Sequence, residues 1–337
     1  MSNTRKAIEK IPFQQIDLAD DTFSVNFMPD LQRLEASIEA VGLIHPVLLR
    51  KRPDRYQIVC GFRRISVLKG LGHSNVEARV FEEREKDDVH LFTLSLHENL
   101  TSRGFNPVEK AIALEKMVSL FQIDPRAVVK NFLPLFSLEM NEKILNTYLS
   151  LARMEEEVKR YVLKEEVSRS NIRRLSALPP EDRRAILSLF SSLKLGENSM
   201  REMLTLLEEI SRRDRCGISE IAAHPEVRAV LSHAKLTPSQ RTERIKKVLL
   251  ELRYPRMGQL EERFEERKRD LHLPLGVSIH HPPFFEGKGL RVGFQFETME
   301  EYRSILSSLS SLTDKRKLEE MLQSKEGGDQ MDGHVEI

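Results

Sequence analysis

A glycine and two adjacent arginines follow an apolar run in the stretch CGFRRISVLKGLG, residues 60–72. The run before them predicts a strand, and the run after them predicts a helix over 65–71. Glycine lets a backbone approach a ligand, a helix N-terminus favours anions, and guanidinium groups match phosphate geometry. Gly61, Arg63 and Arg64 therefore predict a phosphate site. The alternative is that both arginines are solvated or pair with nearby acids.

A second group lies in HENLTSRGFNPVEKA, residues 97–111, where Glu98 and Asn99 end a predicted helix and Arg103 follows in a loop. A carboxylate beside an amide could hold Mg²⁺ that bridges nucleotide phosphates, because Mg²⁺ takes only one or two protein oxygens. The remaining polar residues match a helix start with a cap, a first-turn proline and a capping box: Asn106, Pro107 and Glu109.

The elements that must position these side chains alternate between strands and helices over residues 1–110, which predicts a compact α/β unit. Strands or strand-like runs are expected at 8–19, 45–51, 56–60 and 76–81. Helices are expected at 30–41, 65–71, 87–98 and 107–121. The pattern from 124 to about 215 is almost purely helical.

The C-terminal part predicts a small α/β module that could serve dimerisation. It has a charged helix at 259–271, two strands around a turn at 286–289, and a helix at 298–312. The HHPPFF stretch at 280–285 has no third ligand at metal spacing. The predicted domains are 1–115, 116–250 and 251–325, and the Gly- and Asp-rich tail at 326–337 is expected to be disordered.

Composition limits the function classes. The 337 residues carry 53 basic and 52 acidic side chains, a net charge of +1, so a strongly basic nucleic-acid binder is not indicated overall. Two distant cysteines give no disulfide framework and suggest a reducing cytoplasm. The sequence has no run of about 18 apolar residues and no apolar N-terminal leader, so a membrane protein is not predicted. Cytoplasmic localisation is therefore expected.

A candidate DNA-binding segment lies in the helical part. Residues 123–154 could form a helix, a connection and a recognition helix near 141–153, although the connection is longer than in a compact helix-turn-helix. Polar and basic side chains there, and a basic cluster further on, are the predicted DNA contacts: Asn141, Lys143, Asn146, Thr147, Arg169, Arg173 and Arg174. The alternative is a helical bundle whose arginines pair with local acids.

The coupled motifs GFRR after a strand and ENL…R…NPVEKA after a helix resemble the N-terminal domain of ParB, the chromosome and plasmid partition protein. The segment SIEAVGLIHPVLLRK resembles the same family, and the likeness covers residues 8–115. It implies an α+β protein with a ParB/sulfiredoxin-like N-terminal domain, an all-helical middle domain and a small C-terminal module.

The resemblance also implies a CTP-binding clamp that loads on DNA, dimerises and slides. Gly61, Arg63 and Arg64 would hold the triphosphate, Glu98 and Asn99 would lie near Mg²⁺, and Arg103 would reach the phosphates. The implied partners are DNA, a second copy of the chain and a partition ATPase, with a nucleoid-associated location.

Two departures from the family pattern affect the predicted chemistry. Phe62 replaces the glutamate of the family's Gly-Glu-Arg-Arg, so binding is better supported than hydrolysis, and at most a weak CTPase is expected. Ser102 stands at the usual arginine position, one residue before Arg103. The related sulfiredoxin fold has a catalytic cysteine at the position of Phe62. Cys60 comes two residues too early for that reductase chemistry and is expected to point into the core at the strand end.

Two other function classes stay open. One is an enzyme on the same domain, such as a nucleotide-dependent kinase or nuclease that uses Glu98 and the arginine pair. The other is a regulatory interaction protein that has kept the fold and lost nucleotide hydrolysis. Nucleotide binding and salt-dependent DNA binding would discriminate among them.

Overall fold

The protein is described by a computed structural model that covers residues 7–271, 273, 276–282 and 289–311. The chain divides into two compact units, Met1–Ser191 with Gly196–Arg201, and Ser192–Leu195 with Glu202–Ile337. The predicted domain boundaries at 115 and 250 stay predictions.

The first unit contains a five-stranded mixed sheet in the order β1-β5-β3-β4-β2. Its strands are β1 (Ile8–Pro12), β2 (Ile16–Asp17), β3 (Val47–Lys51), β4 (Tyr56–Cys60) and β5 (Asn75–Phe81). Strands β1 and β5 pair antiparallel, as do β3 and β4, whereas β3–β5 and β2–β4 are parallel. Apolar side chains of β3 and β4 are buried between the sheet and its helices, as in Val47, Leu49 and Ile58.

Four helices accompany the sheet: α1 (Gln32–Val41), α2 (Phe62–Gly70), α3 (Asp88–Ser102) and α4 (Pro107–Glu115). Gly42 ends α1 with φ 75°, as the sequence predicts. Asp87 caps α3 through the N–H of His90. Asn106 and Glu109 form the predicted capping box at the start of α4.

Three helix boundaries differ from the predicted ones. Helix α2 begins at Phe62 rather than at 65, because Gly61 takes a left-handed conformation and lets the helix start directly after the strand. Helix α3 extends to Ser102, one turn beyond the predicted end at 98. Helix α4 ends at Glu115 and is followed by a π-helical turn, Lys116–Leu120, where one continuous helix to 121 was predicted.

The following segment is helical, as predicted. It contains α5 (Pro125–Asn131), a 3₁₀ turn (Pro134–Phe136), α6 (Glu142–Arg153), α7 (Glu156–Lys164), α8 (Arg169–Ala177), α9 (Pro180–Phe190) and α10 (Glu197–Asp214). Pro125 and Pro180 stand in the first turn of their helices, where a missing N–H removes no intrahelical bond. The predicted recognition helix near 141–153 corresponds to α6, with Asn141 as its N-cap.

The second unit continues with α11 (Ile218–Ala222), α12 (Pro225–Ser232), α13 (Pro238–Arg253) and α14 (Pro255–Asp270). An antiparallel pair, β6 (Val277–His280) and β7 (Arg291–Phe294), precedes α15 (Met299–Ser311). The charged helix thus starts earlier than 259, because Pro255 opens it. The tail at 326–337 lies outside the described residues, as does most of the predicted turn at 286–289.

The architecture is mixed α/β, mostly helical in the middle, with a small C-terminal sheet, and this confirms the predicted fold class. None of the helices in the described ranges is both long enough and apolar enough to cross a bilayer. Within the same ranges, no group of three or more His, Cys, Asp or Glu side chains has an arrangement that could hold a metal ion. His281 instead packs edge-on against Phe264, with ring centroids 5.0 Å apart.

Candidate functional site

All six residues predicted for nucleotide binding line one cavity of about 590 Å³ in the first unit. They are Gly61, Arg63, Arg64, Glu98, Asn99 and Arg103. Arg33 joins the three predicted arginines in the lining, and the acidic side chains there are Asp30 and Glu98. Four guanidinium groups against two carboxylates suit an anionic ligand. The sequence-based grouping of these residues is therefore matched by their positions.

The backbone at Gly61 accounts for the glycine in GFRR. Its φ is 105°, a conformation that L side chains rarely adopt. A Cβ at this position would lie 2.6 Å from Cγ1 of Val47, which is fully buried on β3. Glycine is thus needed both for the turn from β4 into α2 and for the close approach of β3.

Arg63 and Arg103 are held by one buried carboxylate, Glu109, which is 1% exposed. Arg63 Nη2 donates to Glu109 Oε1 at 2.5 Å, and Arg103 Nη1 donates to Oε2 at 2.7 Å. Asn26 Oδ1 also accepts from Arg63 Nε at 2.9 Å. Burial, together with the charge of Arg103, lowers the pKa of Arg63 from its usual value. Arg63 and Arg103 carry two positive charges against the single negative charge of Glu109, so this group keeps a net positive charge.

Arg64 forms a second group with the end of α3. Its Nη2 donates to Glu98 Oε1 at 2.6 Å, and its Nη1 donates to the carbonyl of His45 at 3.0 Å. Cys60 Sγ lies 2.9 Å from the other oxygen of Glu98. An arginine near a helix N-terminus is unfavourable without an anion, and here internal carboxylates supply that charge. The alternative prediction, that the arginines pair with acids, holds alongside their exposure to the cavity.

Asn99 is engaged on both sides of its amide. Its Nδ2 donates to the carbonyl of Ser95 at 2.8 Å, one helical turn earlier. Its Oδ1 accepts from Arg103 Nε at 3.1 Å. Asn99 thus orients the arginine that the sequence places one position later than expected. That arginine reaches the cavity from the C-terminal end of α3.

The carboxylate oxygens of Glu98 could bind a Mg²⁺ ion that accompanies a nucleotide. The Glu98 side chain is 33% exposed, and each of its oxygens accepts one hydrogen bond, so further lone pairs remain. The amide oxygen of Asn99 already accepts from Arg103. These contacts fit Mg²⁺ held by one carboxylate and by phosphates, and they favour Glu98 over Asn99 as its ligand.

Phe62 lies between the glycine and the arginines and contributes an apolar wall. It lines the cavity and packs against the hydrophobic core of the sheet. A phenyl ring can neither take a proton from water nor orient it. The position that carries a glutamate in the family pattern is therefore chemically inert in this chain.

Sequence reasoning missed three residues that shape this site: Asn26, Cys60 and Glu109. Glu109 was explained fully by its capping box, and Cys60 was expected in the core at the strand end. Both explanations are correct for the backbone and incomplete for the side chain. The sequence signal for Glu109 was weak, because its partner Arg63 lies 46 residues away.

The residues predicted to contact DNA do not share one surface environment. Asn141, Lys143 and Asn146 are exposed at the start of α6, and the Asn141 side chain caps the helix by accepting from the N–H of Lys143 at 2.8 Å. Thr147 is only 9% exposed and donates its hydroxyl to the carbonyl of Lys143. Thr147 thus belongs to the buried face of α6, a position that does not favour the predicted DNA contact, which stays a prediction.

The basic cluster is partly engaged within the protein. Arg169 and Arg173 are exposed, and Arg169 lies 3.9 Å from a carboxylate oxygen of Glu139. Arg174 donates to the carbonyl of Arg201 at 2.8 Å. Arg183, on the following helix α9, forms an ion pair with Glu155 at 2.8 Å. Of this cluster, Arg169 and Arg173 present their side chains most openly.

Comparison with known proteins gives a family match over the N-terminal part of the chain. The model of the ParB N-terminal domain matches residues 2–100. A chromosome-partitioning protein ParB of Myxococcus xanthus is 32% identical over 125 residues, which are 37% of this chain and 41% of that protein. A nucleoid occlusion protein of Halalkalibacterium halodurans is 23% identical over 208 residues, 59% of this chain and 70% of that protein.

Among solved structures, ParB from Caulobacter crescentus complexed with CTP-γ-S is similar, with 23% identity and a TM-score of 0.25 over 54% of this chain and 97% of that one. The Myxococcus alignment spans less than half of that relative's length. The predicted resemblance is nevertheless confirmed by the family match. Residues 2–100 are thus similar to the N-terminal domain of ParB proteins.

Proposed function

We propose that this protein is a CTP-responsive DNA-binding protein of chromosome or plasmid partition or of related DNA-bound regulation. The observation that carries the proposal is the convergence of Gly61, Arg63, Arg64, Glu98, Asn99 and Arg103 on one cavity. Its volume of about 590 Å³ falls in the range of small-molecule sites, and its arginines suit a triphosphate. The similarity of residues 2–100 to the ParB N-terminal domain supports CTP as the nucleotide.

In this proposal each cavity residue has its own role. Gly61 opens the turn, so that the N-terminus of α2 can face the phosphates. Arg63, Arg64 and Arg103 donate to phosphate oxygens, and Glu98 supplies an oxygen to Mg²⁺. When bound, the ion neutralises phosphate charge.

The test is a titration of the full chain with CTP and with ATP, each with and without Mg²⁺. We expect CTP to bind more tightly than ATP and Mg²⁺ to strengthen binding. Absence of any triphosphate binding at millimolar concentration would exclude the nucleotide role. Equal affinity for the two nucleotides would reject a preference for CTP and would indicate a general triphosphate site.

The DNA role needs a separate test, because the nucleotide cavity does not bear on it. We propose that α6 contributes Asn141, Lys143 and Asn146, and that Arg169 and Arg173 contact phosphates. Binding to duplex DNA should weaken steeply as salt increases, since each phosphate contact releases counterions. A flat salt response would contradict phosphate contacts.

We also propose that the protein forms a homodimer, which light scattering would test. A partition ATPase is proposed as a further partner.

A second candidate is a nucleotide-binding switch that does not hydrolyse its ligand. Phe62 favours it, because the side chain lines the cavity and offers no group for proton transfer. We expect phosphate release from CTP to stay at the background rate, with and without DNA. Release well above background would show that another residue performs the chemistry and would reject this candidate.

A further inference from the structure

Cys60 is the last residue of β4, and its side chain contacts residues that line the proposed nucleotide cavity. The residue is 1% exposed. Its Sγ lies 2.9 Å from Glu98 Oε2, 3.7 Å from Asn99 Nδ2 and 3.8 Å from Arg64 Nη2. The thiol thus contacts three of the six residues that were predicted to bind nucleotide, although Cys60 itself does not line the cavity.

The direction of the contact with Glu98 follows from the chemistry of the two groups. A carboxylate accepts hydrogen bonds, and a thiol is a weak donor. The thiol is therefore the donor in this 2.9 Å contact, and Glu98 Oε2 is the acceptor.

The two donors to Glu98 come from different elements. Arg64 on α2 donates to Oε1 at 2.6 Å, and Cys60 at the end of β4 donates to Oε2 at 2.9 Å. A carboxylate on a long side chain would otherwise lose rotamer freedom when it binds a ligand. We propose that Cys60 is a positioning residue. Its thiol holds the Glu98 carboxylate in place for the metal–triphosphate ligand of the cavity.

The proposal rests on the proposed nucleotide function, and it competes with a simpler role. Buried cysteine often acts as a small apolar core residue. In that case only volume would matter, and loss of the donor would have no effect on the cavity. The surroundings of Cys60 favour the polar role, because a carboxylate, an amide and a guanidinium lie within 3.8 Å of the sulfur.

Two substitutions at residue 60 separate the roles. Cys60→Ala removes the donor with little change in volume, and Cys60→Ser keeps a donor. We expect Cys60→Ala to weaken Mg²⁺–CTP binding about fivefold, the effect of a typical hydrogen bond. Cys60→Ser should stay within about twofold of the parent protein. Cys216→Ala is the matched control for loss of a thiol, because Cys216 lies outside the cavity, and it should bind as the parent does.

A double-mutant cycle with Glu98→Gln tests whether Cys60 acts through Glu98. The Cys60→Ala effect should fall below about twofold in the Glu98→Gln background, because coupled residues are not additive. An undiminished effect in that background, or weaker binding by Cys60→Ser than by Cys60→Ala, would overturn the positioning role. Unchanged affinity in Cys60→Ala would overturn it as well.

A spectroscopic measurement keeps this inference separate from the nucleotide function. The S–H stretching band of Cys60 in the Raman spectrum should move in Glu98→Gln, while the band of Cys216 stays in place. No movement would reject the hydrogen bond, whether or not CTP binds. If the band moves and the parent protein binds no triphosphate, the contact stands, but the proposed ligand and the role of Cys60 in holding it are both rejected.

Discussion

The candidate nucleotide cavity and the candidate DNA-binding segment began as comparable predictions and have different structures. All six predicted cavity residues meet in one place, drawn from the residue between β4 and α2, from α2, from α3 and from the residue after α3. The predicted DNA contacts are scattered among exposed, buried and internally bonded positions, of which Thr147 is buried and Arg174 binds the carbonyl of Arg201.

The difference follows from how tightly each set is constrained. The cavity residues belong to motifs whose positions depend on a strand end, a helix start and one glycine with a defined conformation. The DNA set was chosen by residue type along helices, and type alone does not say which face a side chain occupies. Coupled motifs therefore predict a site better than a favourable composition does. Four experiments would break or sharpen this contrast.

The largest expected effect is on stability, through Glu109→Gln. The carboxylate is 1% exposed and pairs with two arginines that are 20% and 21% exposed. Removal of its charge leaves both guanidinium groups without the carboxylate that they share, and we expect a loss of about 3 kcal/mol in the free energy of unfolding. Urea denaturation measures it. Glu77→Gln, at an exposed position of β5, is the control. A loss no larger than that of the control would show that the buried pair contributes little.

Arg63→Ala should weaken CTP binding by about 1.5–3 kcal/mol, which is roughly tenfold to more than a hundredfold. A charge-assisted hydrogen bond to phosphate is lost, while the exposed Arg79→Ala in the same domain should bind as the parent does. Isothermal titration calorimetry gives both affinities. Equal affinity of the two variants would remove Arg63 from the site and weaken the contrast between the two regions.

Arg169→Ala and Arg173→Ala test the second region. Each should lower the slope of log affinity against log salt by about 1 if the side chain contacts a phosphate. Arg160→Ala removes an exposed arginine that already pairs with Glu156, and it should leave the slope unchanged. Fluorescence anisotropy with duplex DNA at several salt concentrations measures the slopes. Identical slopes in all three variants would place the DNA contact elsewhere.

The smallest effect concerns alkaline pH. The pKa of Cys60 is raised from 9.0 to about 12 in the folded protein, first by burial. Between those values the unfolded chain loses the proton and the folded chain keeps it, so stability falls as pH rises. The thermal midpoint should therefore decline more steeply above pH 9 in the parent than in Cys60→Ala. Parallel curves would contradict the raised pKa.

Local patterns predicted most of the fold. The glycine after β4, the cap of α4 and the short apolar runs of β3 and β4 act over a few residues, so their consequences can be inferred from the sequence. The start of α2 at Phe62 could not be inferred in this way, because it depends on the left-handed backbone of Gly61. The close approach of Val47 to Gly61 likewise joins residues that are fourteen positions apart.

The candidate site follows the same division. Arg63, Arg64 and Glu98 carry recognisable motifs, whereas Glu109 joins the site through contacts across 46 residues of sequence. Thr147 is a different case, since a signal was present. It precedes the buried Leu151 by four residues, and side chains at that spacing lie on the same face of a helix. Helical periodicity applied to α6 would have placed it inside.

The close approach of Gly61 to Val47 also has a consequence for how this chain tolerates change. A smaller side chain at residue 47 would relieve the 2.6 Å contact that any Cβ at residue 61 must make. It would not relieve the φ of 105°, which disfavours every residue with a side chain. Two independent barriers therefore protect the same glycine. No compensating substitution on β3 alone opens residue 61 to variation, and libraries that diversify this cavity should keep it constant.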